Sequence, residues 1–323
     1  MAVALAIIGY GIMGERLLRA ALDHEEPAVR IAGVFDPSPG ALDRLAQSFP
    51  SVPRLASADA AIEAAECVYV ASPPATHLDY AGRALDRDRA VFCEKPLAVD
   101  LPAARAFVAA AGGWRGRAAV NFPFASSFAV EQLRTWMADG TVGTPQSLAM
   151  EVAFAQWPRP WQAAAAAWLE KRAQGGFTRE VVSHFLFLAR RLLGPLELRS
   201  ASATWPPGDG SETALQASLD AGIPVTLTGA VGGTDQPDHN LWVLRGSKGA
   251  VRLRDWAIAE RVGADGAWQA DPDALPNEAL RPLVLRRQLD KVARMTRGGD
   301  HDLATLGEAL QVQEIVEAML AGR

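Results

Sequence analysis

Short apolar runs alternate with amphipathic segments over the first 120 residues of the chain. Each run is bounded by polar or turn-forming residues, and between runs apolar side chains recur every three or four positions, as on the buried face of a helix. Alternation of strand and helix is typical of a parallel, doubly wound α/β sheet. The predicted strands are residues 3–8, 31–35, 67–71, 90–93 and 118–120.

The pattern changes after a helix predicted at about residues 128–138. Apolar residues then take every second position, as in residues 148–154, and strands follow one another without helices between them. Consecutive strands predict an α+β domain with a largely antiparallel open sheet. We therefore predict two domains, residues 1–121 and residues 122–323. The further predicted elements are strands at 196–204, 213–219, 224–230, 241–245 and 250–254, a hairpin turn at 246–249 and a closing helix at about 303–320.

A glycine-rich turn joins the first predicted strand to the first predicted helix. The spacing Gly-x-Gly-x-x-Gly of Gly9, Gly11 and Gly14 predicts dinucleotide binding when it lies between a strand and a helix. Gly9 would permit the sharp turn, Gly11 the approach of a pyrophosphate, and Gly14 the close packing of helix on strand. Ile12 and Met13 would begin that helix, whose N-terminal N–H groups attract phosphate. The first domain is therefore predicted to be a Rossmann domain.

Asp36 ends the second predicted strand and bears on the choice of cofactor. It follows Gly14 by 22 residues, close to the roughly 20 expected of the acid that binds the adenosine ribose. No arginine directly follows Asp36 to pair with a 2′-phosphate. We therefore predict NAD as the cofactor, with NADP less favoured; a structural turn with a solvated aspartate is the alternative.

Lys95 follows the fourth predicted strand, inside the sequence Glu94-Lys95-Pro96. In doubly wound sheets ligands bind outside the carboxyl ends of the strands, so we expect Lys95 to face the cofactor. Its amine could exchange a proton with a substrate hydroxyl or carbonyl. Considered without other residues, a solvated lysine beside a rigid turn is the stronger alternative.

A second polar group lies in an almost wholly apolar segment. Its members fall at i, i+3, i+4 and i+7 and would share one helix face. Burying an unpaired polar group costs roughly 2 to 7 kcal/mol even when it is neutral, so we expect the carboxylate and the imidazole to serve each other or a ligand. A purely structural histidine is an alternative of equal weight. The four residues are Glu180, Ser183, His184 and Phe187.

Composition and charge exclude several classes of protein. A chain of 323 residues, 49% of them hydrophobic, can bury the core of two domains. The net charge of −5 and the scattered basic residues predict no nucleic-acid partner. The N-terminal apolar run is too short to span a membrane and lacks a signal-peptide pattern, so we expect a cytoplasmic protein without membrane contact. Cys67 and Cys93 fall in apolar runs and predict buried free thiols, and the five histidines lack ligand spacing, so we predict no metal.

These motifs together resemble the Gfo/Idh/MocA family of NAD(P)-dependent oxidoreductases, which includes glucose-fructose oxidoreductase and inositol dehydrogenase. The resemblance covers nearly the whole chain, and its most specific element is Glu94-Lys95-Pro96. It also rests on the glycine-rich turn, on Ala71-Ser72-Pro73-Pro74 followed by His77, and on the segment from Gly175-Gly176 to His184. It implies that Ser72, Pro73, His77, Glu94 and Lys95 lie at the cofactor site.

The resemblance further implies hydride transfer between nicotinamide and the alcohol or carbonyl of a small molecule, which we expect to be a sugar or a sugar-derived compound. Lys95 would donate or accept the proton and His184, oriented by Glu180, would assist it. Family members often form dimers or tetramers through the second-domain sheet, so we expect a homodimer or homotetramer.

The chain departs from the family pattern in its second domain. Glu180 stands where an aspartate is usual, Phe187 replaces another common aspartate, and the pocket is expected to be less polar than a sugar site. Trp157, Trp161 and Trp168 would either line that pocket or pack in the core. Two other functions stay open: an NAD-binding sensor or regulator without net catalysis, and cleavage of a glycosidic bond through transient oxidation.

Overall fold

The computed structural model describes residues 1–110 and 116–322, which form two compact units. The first unit comprises residues up to 126 together with 282–311, and the second comprises residues 127–281 and those from 312 on. The strands are β1 (Val3–Ile8), β2 (Val29–Phe35), β3 (Cys67–Val70), β4 (Ala90–Cys93), β5 (Ala118–Val120), β6 (Pro145–Phe154), β7 (Glu197–Thr204), β8 (Ala214–Asp220), β9 (Pro224–Val231), β10 (His239–Gly246), β11 (Ala250–Arg254), β12 (Ile258–Val262) and β13 (Trp268–Ala270). The α-helices are α1 (Ile12–Leu22), α2 (Pro39–Ser48), α3 (Ala58–Ala64), α4 (His77–Leu85), α5 (Leu101–Ala110), α6 (Phe128–Ala138), α7 (Ala166–Leu169), α8 (Ser183–Leu193), α9 (Asn277–Thr296) and α10 (Leu306–Leu320).

The first unit is built on a parallel sheet with the strand order β2-β1-β3-β4-β5, which confirms the predicted fold class. Strands β1, β3 and β4 are buried along their whole length, as expected of strands covered on both faces. A parallel bridge between Val34 and Arg54 extends the sheet beyond β2. When the bridge is counted as a strand, the order is the 3-2-1-4-5-6 of dinucleotide-binding sheets.

Residues 282–311 complete the core of the first unit. Leu285 and Leu289 of α9 belong to the same buried cluster as the side chains of β1 and α1. Lys291 donates a hydrogen bond of 2.6 Å to the carbonyl oxygen of Ala125. The sequence-based division after residue 121 places α9 in the second domain, whereas these contacts attach most of it to the first unit.

The second unit is built on an eight-stranded sheet with the order β13-β12-β11-β10-β6-β9-β8-β7. Every neighbouring pair is antiparallel except β6 and β9, so the prediction of a largely antiparallel sheet is confirmed. The predicted hairpin turn is also confirmed, with the Gly246 N–H donating to the Gly249 carbonyl at 2.9 Å. Strands β12 and β13 extend the sheet beyond the predicted strands.

The closing helix begins three residues later than the sequence pattern predicts. Thr305 and Glu308 form a capping box: the Thr305 N–H donates to Glu308 Oε2 at 2.8 Å, and the Glu308 N–H donates to Thr305 Oγ1 at 3.2 Å. Ala304, just before the cap, accepts a backbone hydrogen bond of 2.9 Å from Val120 and extends the edge of the first sheet. The predicted helix start at residue 303 is therefore corrected to Leu306.

Cys67 and Cys93 are buried free thiols, as predicted. Burial raises the pKa of Cys67 to about 12. Burial, with the charge of Glu94 adding to it, also raises the pKa of Cys93 well above its usual value. Because the thiolate is the nucleophilic form, neither cysteine is suited to covalent catalysis.

None of the helices within the described ranges is both long and apolar enough to cross a membrane. In those same ranges no three histidine, cysteine, aspartate or glutamate side chains come together as a group that could hold a metal ion.

Candidate active site

Four predicted site residues lie just beyond the carboxyl ends of parallel strands. Gly9 follows β1 and Asp36 follows β2, while Ser72 and Lys95 stand two residues after β3 and β4. Because the strands are parallel, these positions share one edge of the first sheet. This is the edge at which doubly wound sheets bind their ligands.

The glycine-rich turn after β1 is tightly packed at Gly9 and Gly14 and open at Gly11. Gly9 has a φ of +102°, and a Cβ at this position would lie 2.6 Å from the carbonyl carbon of Ala71. A Cβ on Gly14 would overlap the carbonyl oxygen of Gly9, whereas a Cβ on Gly11 would meet no atom within 4 Å. The space beside Gly11 therefore opens directly onto α1, which begins at Ile12 and whose first N–H groups point toward its N-terminal end.

Asp36 joins the end of β2 to that turn. Its Oδ2 accepts a hydrogen bond of 2.7 Å from the Tyr10 N–H, and its Oδ1 accepts one of 2.8 Å from the Ser38 N–H. Each carboxylate oxygen can accept a further hydrogen bond, so Asp36 keeps the capacity to bind ribose hydroxyls.

An arginine lies near the glycine-rich turn, Arg44, although none directly follows Asp36 in the sequence. It is an exposed residue of α2, and its Nη2 lies 3.5 Å from the carbonyl oxygen of Tyr10 while its Nη1 lies 3.3 Å from that of Gly40. The helix α2 brings an arginine from eight residues further along the chain back to the same turn.

His77 connects two loops of the cofactor edge. It is 1% exposed, and its two ring nitrogens lie 2.8 Å from the carbonyl oxygens of Ser72 and Pro96. Burial lowers the pKa of His77, although the two carbonyls oppose this shift. Ser72 Oγ in turn accepts a hydrogen bond of 2.7 Å from the Thr76 hydroxyl. His77 therefore supports the Ser72-Pro73 loop and the turn after Lys95 through main-chain carbonyls.

A buried polar chain lies directly before Lys95. The half-buried Lys95 is preceded by Glu94, which is 7% exposed and whose Oε1 accepts hydrogen bonds from the Tyr69 hydroxyl and from Asn121 Nδ2, the latter at 2.6 Å. Gln288 Nε2 donates to Asn121 Oδ1 at 2.8 Å. Burial, and then the charge of Glu94, raise the pKa of Tyr69, so its hydroxyl remains a donor. Tyr69 and Asn121 thus contact Glu94 directly and Gln288 acts through Asn121, and none of these contacts was predicted from the sequence.

Replacing Tyr69 with phenylalanine should destabilise the protein by roughly 1.5 to 3 kcal/mol, because a buried carboxylate loses a hydrogen bond. Urea denaturation followed by circular dichroism measures this change. Tyr80→Phe is the matched control, since Tyr80 is half-buried and its ring lies 5.6 Å from the Arg83 guanidinium carbon. This change should cost less than about 0.5 kcal/mol. Equal stabilities of the two variants would contradict the assigned role of Tyr69.

Glu180 and His184 lie in the second unit, at the start of its central apolar helix. Residues Thr178–Val182 form a π-helical turn, in which the Ser183 N–H donates to the Thr178 carbonyl five residues earlier. The α-helix proper begins only at Ser183. The assumed spacing of 3.6 residues per turn therefore holds from Ser183 onward but not between Glu180 and Ser183. Wide turns of this kind occur frequently at functional sites.

Glu212 fixes the beginning of this wide turn and was not predicted from the sequence. It is 1% exposed, and its Oε1 accepts a hydrogen bond of 2.7 Å from the Thr178 N–H. Its carboxylate packs against Gly176, which has a φ of +100° and where any Cβ would overlap Glu212. Arg179 adds a second anchor through a two-pronged ion pair with Glu317 at 2.6 and 2.7 Å.

Replacing Glu212 with glutamine should stabilise the protein at neutral pH. Burial raises the pKa of Glu212 above its usual 4.5, so the folded state disfavours the ionised form that predominates at pH 7. The wild type therefore loses stability, relative to the variant, as pH rises from 4.5 through the folded-state pKa. The loss amounts to about 1.4 kcal/mol for each unit of pKa shift.

Urea denaturation of both proteins between pH 4.5 and 8 measures this difference. Glu63→Gln, at an exposed position of α3, should change stability by less than about 0.5 kcal/mol throughout. A Glu212→Gln protein that becomes relatively less stable as pH rises would contradict the expected sign.

The three tryptophans of the loop after β6 differ in their surroundings. The Trp157 ring lies 5.1 Å from the Phe154 ring, and its indole N–H donates a hydrogen bond of 3.2 Å to the Leu169 carbonyl. These contacts favour core packing over pocket lining for Trp157. Trp161 is 40% exposed and Trp168 is half-buried. Phe187 is buried in α8, so it supplies apolar packing where the family often has an aspartate.

A comparison with known protein families agrees with a Rossmann domain at the start of the chain. Residues 3–122 match the family model described as "Oxidoreductase family, NAD-binding Rossmann fold", named GFO_IDH_MocA. The chain is 24% identical over 259 residues to the inositol 2-dehydrogenase of Rhizobium meliloti (strain 1021), covering 78% of this chain and 75% of that protein.

Solved structures with a similar fold align with nearly the whole length of the chain. An oxidoreductase from Agrobacterium radiobacter in complex with NAD+, L-tartaric acid and magnesium has a TM-score of 0.82 at 19% identity, covering 99% of this chain and 97% of the other. A levoglucosan dehydrogenase in complex with NADH and levoglucosan has a TM-score of 0.83 at 16% identity, with coverage of 99% and 97%. Residues 3–122 are therefore similar to the NAD-binding Rossmann domain of the Gfo/Idh/MocA oxidoreductases.

Proposed function

We propose that this protein is an NAD-dependent dehydrogenase or reductase that acts on the alcohol and carbonyl forms of a sugar or a sugar-derived small molecule. The observation that carries the proposal is the position of Lys95. It is half-buried two residues beyond β4, on the same sheet edge as the glycine-rich turn and Asp36. The inositol and levoglucosan dehydrogenases to which the chain is similar support the substrate class.

When bound, NAD accepts or supplies the hydride, and the protein supplies the proton transfer. The Lys95 amine takes the proton of the substrate hydroxyl during oxidation and returns it during reduction. Glu94, held by Tyr69 and Asn121, fixes the main chain immediately before Lys95. We assign His184 to polarising the reacting oxygen or relaying its proton, with Glu180 orienting His184.

Cofactor binding is assigned to the turn after β1 and to the loops beside it. The backbone at Gly9, Gly11, Ile12 and Met13 would hold the pyrophosphate, and Gly14 keeps the helix close. Asp36 would accept hydrogen bonds from the adenosine ribose. Ser72, Pro73, Glu94 and Lys95 would line the nicotinamide side, with His77 supporting them from beneath.

The test is NADH and NADPH oxidation by the purified protein over a panel of keto-sugars, ketones of inositols and less polar carbonyl compounds. Turnover with NADH that disappears in Lys95→Ala supports the proposal. NADH binding without turnover on any substrate would favour the sensor or regulator. Product formation from glycosides without net change in NADH would favour cleavage through transient oxidation.

We also propose that the protein forms a homodimer or homotetramer through the second sheet. Along β9 buried residues alternate with exposed ones, so one face of the sheet is open. Light scattering coupled to size-exclusion chromatography measures the assembly, and a monomer at micromolar concentration would contradict it. A cytoplasmic location stays a prediction from the sequence.

A further inference from the structure

The turn between β11 and β12 contains an unusual backbone. Its two central residues, Asp255 and Trp256, have φ values of +49° and +71°, and the Ala257 N–H donates to the Arg254 carbonyl across the turn at 3.2 Å. Positive φ at both central positions favours asparagine, aspartate and glycine. A tryptophan there is an outlier, and such outliers persist only where the surrounding structure imposes them.

Asp255 supplies part of that constraint. Its N–H donates to the Asn240 carbonyl at 2.9 Å, and its Oδ1 accepts a hydrogen bond of 3.1 Å from the Asn240 N–H. The same oxygen lies 3.0 Å from His239 Nδ1. The turn is therefore tied to the first residues of β10, and the direction of the Trp256 side chain is set by this attachment.

The half-buried indole of Trp256 lies against α8. Its ring centroid is 5.4 Å from that of His184 with an interplanar angle of 75°, an edge-to-face arrangement. It is also 5.1 Å from the ring of Phe185, which is 1% exposed. Aromatic pairs favour this geometry, and a contact of this kind limits the orientations open to the imidazole.

We propose that Trp256 is a positioning residue, which holds the His184 imidazole in the orientation that the reaction requires. The inference rests on the proposed function for its catalytic consequence, but the contact between the two rings can be tested without turnover. The strained turn and the histidine on α8 are connected through the contact between the Trp256 and His184 rings. The turn presents a rigid ring, and that ring selects the rotamer of His184.

The test compares Trp256→Leu, which removes the aromatic ring, with Trp256→Phe, which keeps one. Trp268→Leu is the matched control, because Trp268 is also half-buried on this sheet and lies over Arg252 instead of a candidate catalytic residue. The readouts are kcat, KM, the dissociation constant of NADH, and the ring signals of His184 in protein labelled with 15N-histidine. With five histidines in the chain, these signals can be assigned by substitution.

We expect Trp256→Leu to lower kcat by about ten-fold or more, since small misplacements of reacting groups have effects of this size. The NADH dissociation constant should not change, the His184 ring signals should shift and broaden, and Trp256→Phe should restore most of kcat and sharp signals. Unaltered His184 signals in a folded Trp256→Leu protein would overturn the proposal. A wild-type protein without activity would refute the proposed function. The contact between Trp256 and His184 would still be tested by the NMR comparison, because that measurement needs no turnover.

Discussion

Replacing Lys95 with alanine should lower kcat by roughly 10² to 10⁴-fold, the usual range for lost general acid–base catalysis. The amine is the proton-transfer group that we assign at the carboxyl edge of the first sheet, and alanine has no group that can carry the proton. The NADH dissociation constant should change much less than kcat. Steady-state kinetics and NADH fluorescence titration measure the two effects separately.

Two further lysine variants show whether the effect belongs to proton transfer. Lys95→Arg keeps the positive charge, but a guanidinium does not give up its proton near neutral pH, so turnover should stay low. Lys248→Ala, at an exposed position of the hairpin between β10 and β11, should leave kcat within about two-fold of the wild type. An active Lys95→Ala enzyme would remove Lys95 from the mechanism.

Two glycines of the first turn should separate folding from cofactor binding. A methyl group on Gly14 would overlap the carbonyl oxygen of Gly9, which is backbone and cannot rotate away. Gly14→Ala should therefore cost roughly 1 to 3 kcal/mol of stability, as overpacking does, and should also weaken NADH binding because the turn must shift. Urea denaturation and fluorescence titration of the same preparation measure both quantities.

Gly11→Ala is the matched variant: it should weaken NADH binding but leave the stability of the protein nearly unchanged. Gly11 has a φ of −83° that alanine adopts freely, and its methyl group would meet no protein atom within 4 Å. Stability without cofactor should stay within about 0.5 kcal/mol of the wild type. The methyl group would instead occupy the space assigned to the pyrophosphate and should weaken NADH binding on the order of ten-fold or more, or about 1.4 kcal/mol. Wild-type affinity in Gly11→Ala would place the cofactor elsewhere.

The strands of the first unit could be predicted because strands in the middle of a covered parallel sheet have an easily recognised sequence pattern. Both faces of the sheet are covered, so β1, β3 and β4 are continuous apolar runs that end at turn residues. The long helix α9 could not be predicted in the same way. It contains Pro282, and charged residues interrupt its apolar positions. Its attachment to the first unit depends on contacts with residues more than 150 positions away.

Local spacing in the sequence was enough to predict which candidate residues lie at the edge of the first sheet, but not which side chains contact one another there. Gly9 and Asp36 directly follow predicted strands and Lys95 stands two residues after one, so their positions at the sheet edge could be predicted. Glu94 and Tyr69 meet only because β3 and β4 pair in a register that no short motif encodes. The turn that carries Trp256 lacks the glycine or asparagine that would have marked it.

The first unit is assembled from two stretches of chain that leave the ribosome far apart in time. Its N-terminal stretch of about 126 residues emerges first, but the apolar face beneath β1 and α1 is closed only by residues such as Leu285 and Leu289. The whole second sheet is synthesised in the interval. The nascent first sheet therefore keeps part of its apolar surface uncovered while the second sheet is made, and uncovered apolar surface of this kind favours aggregation.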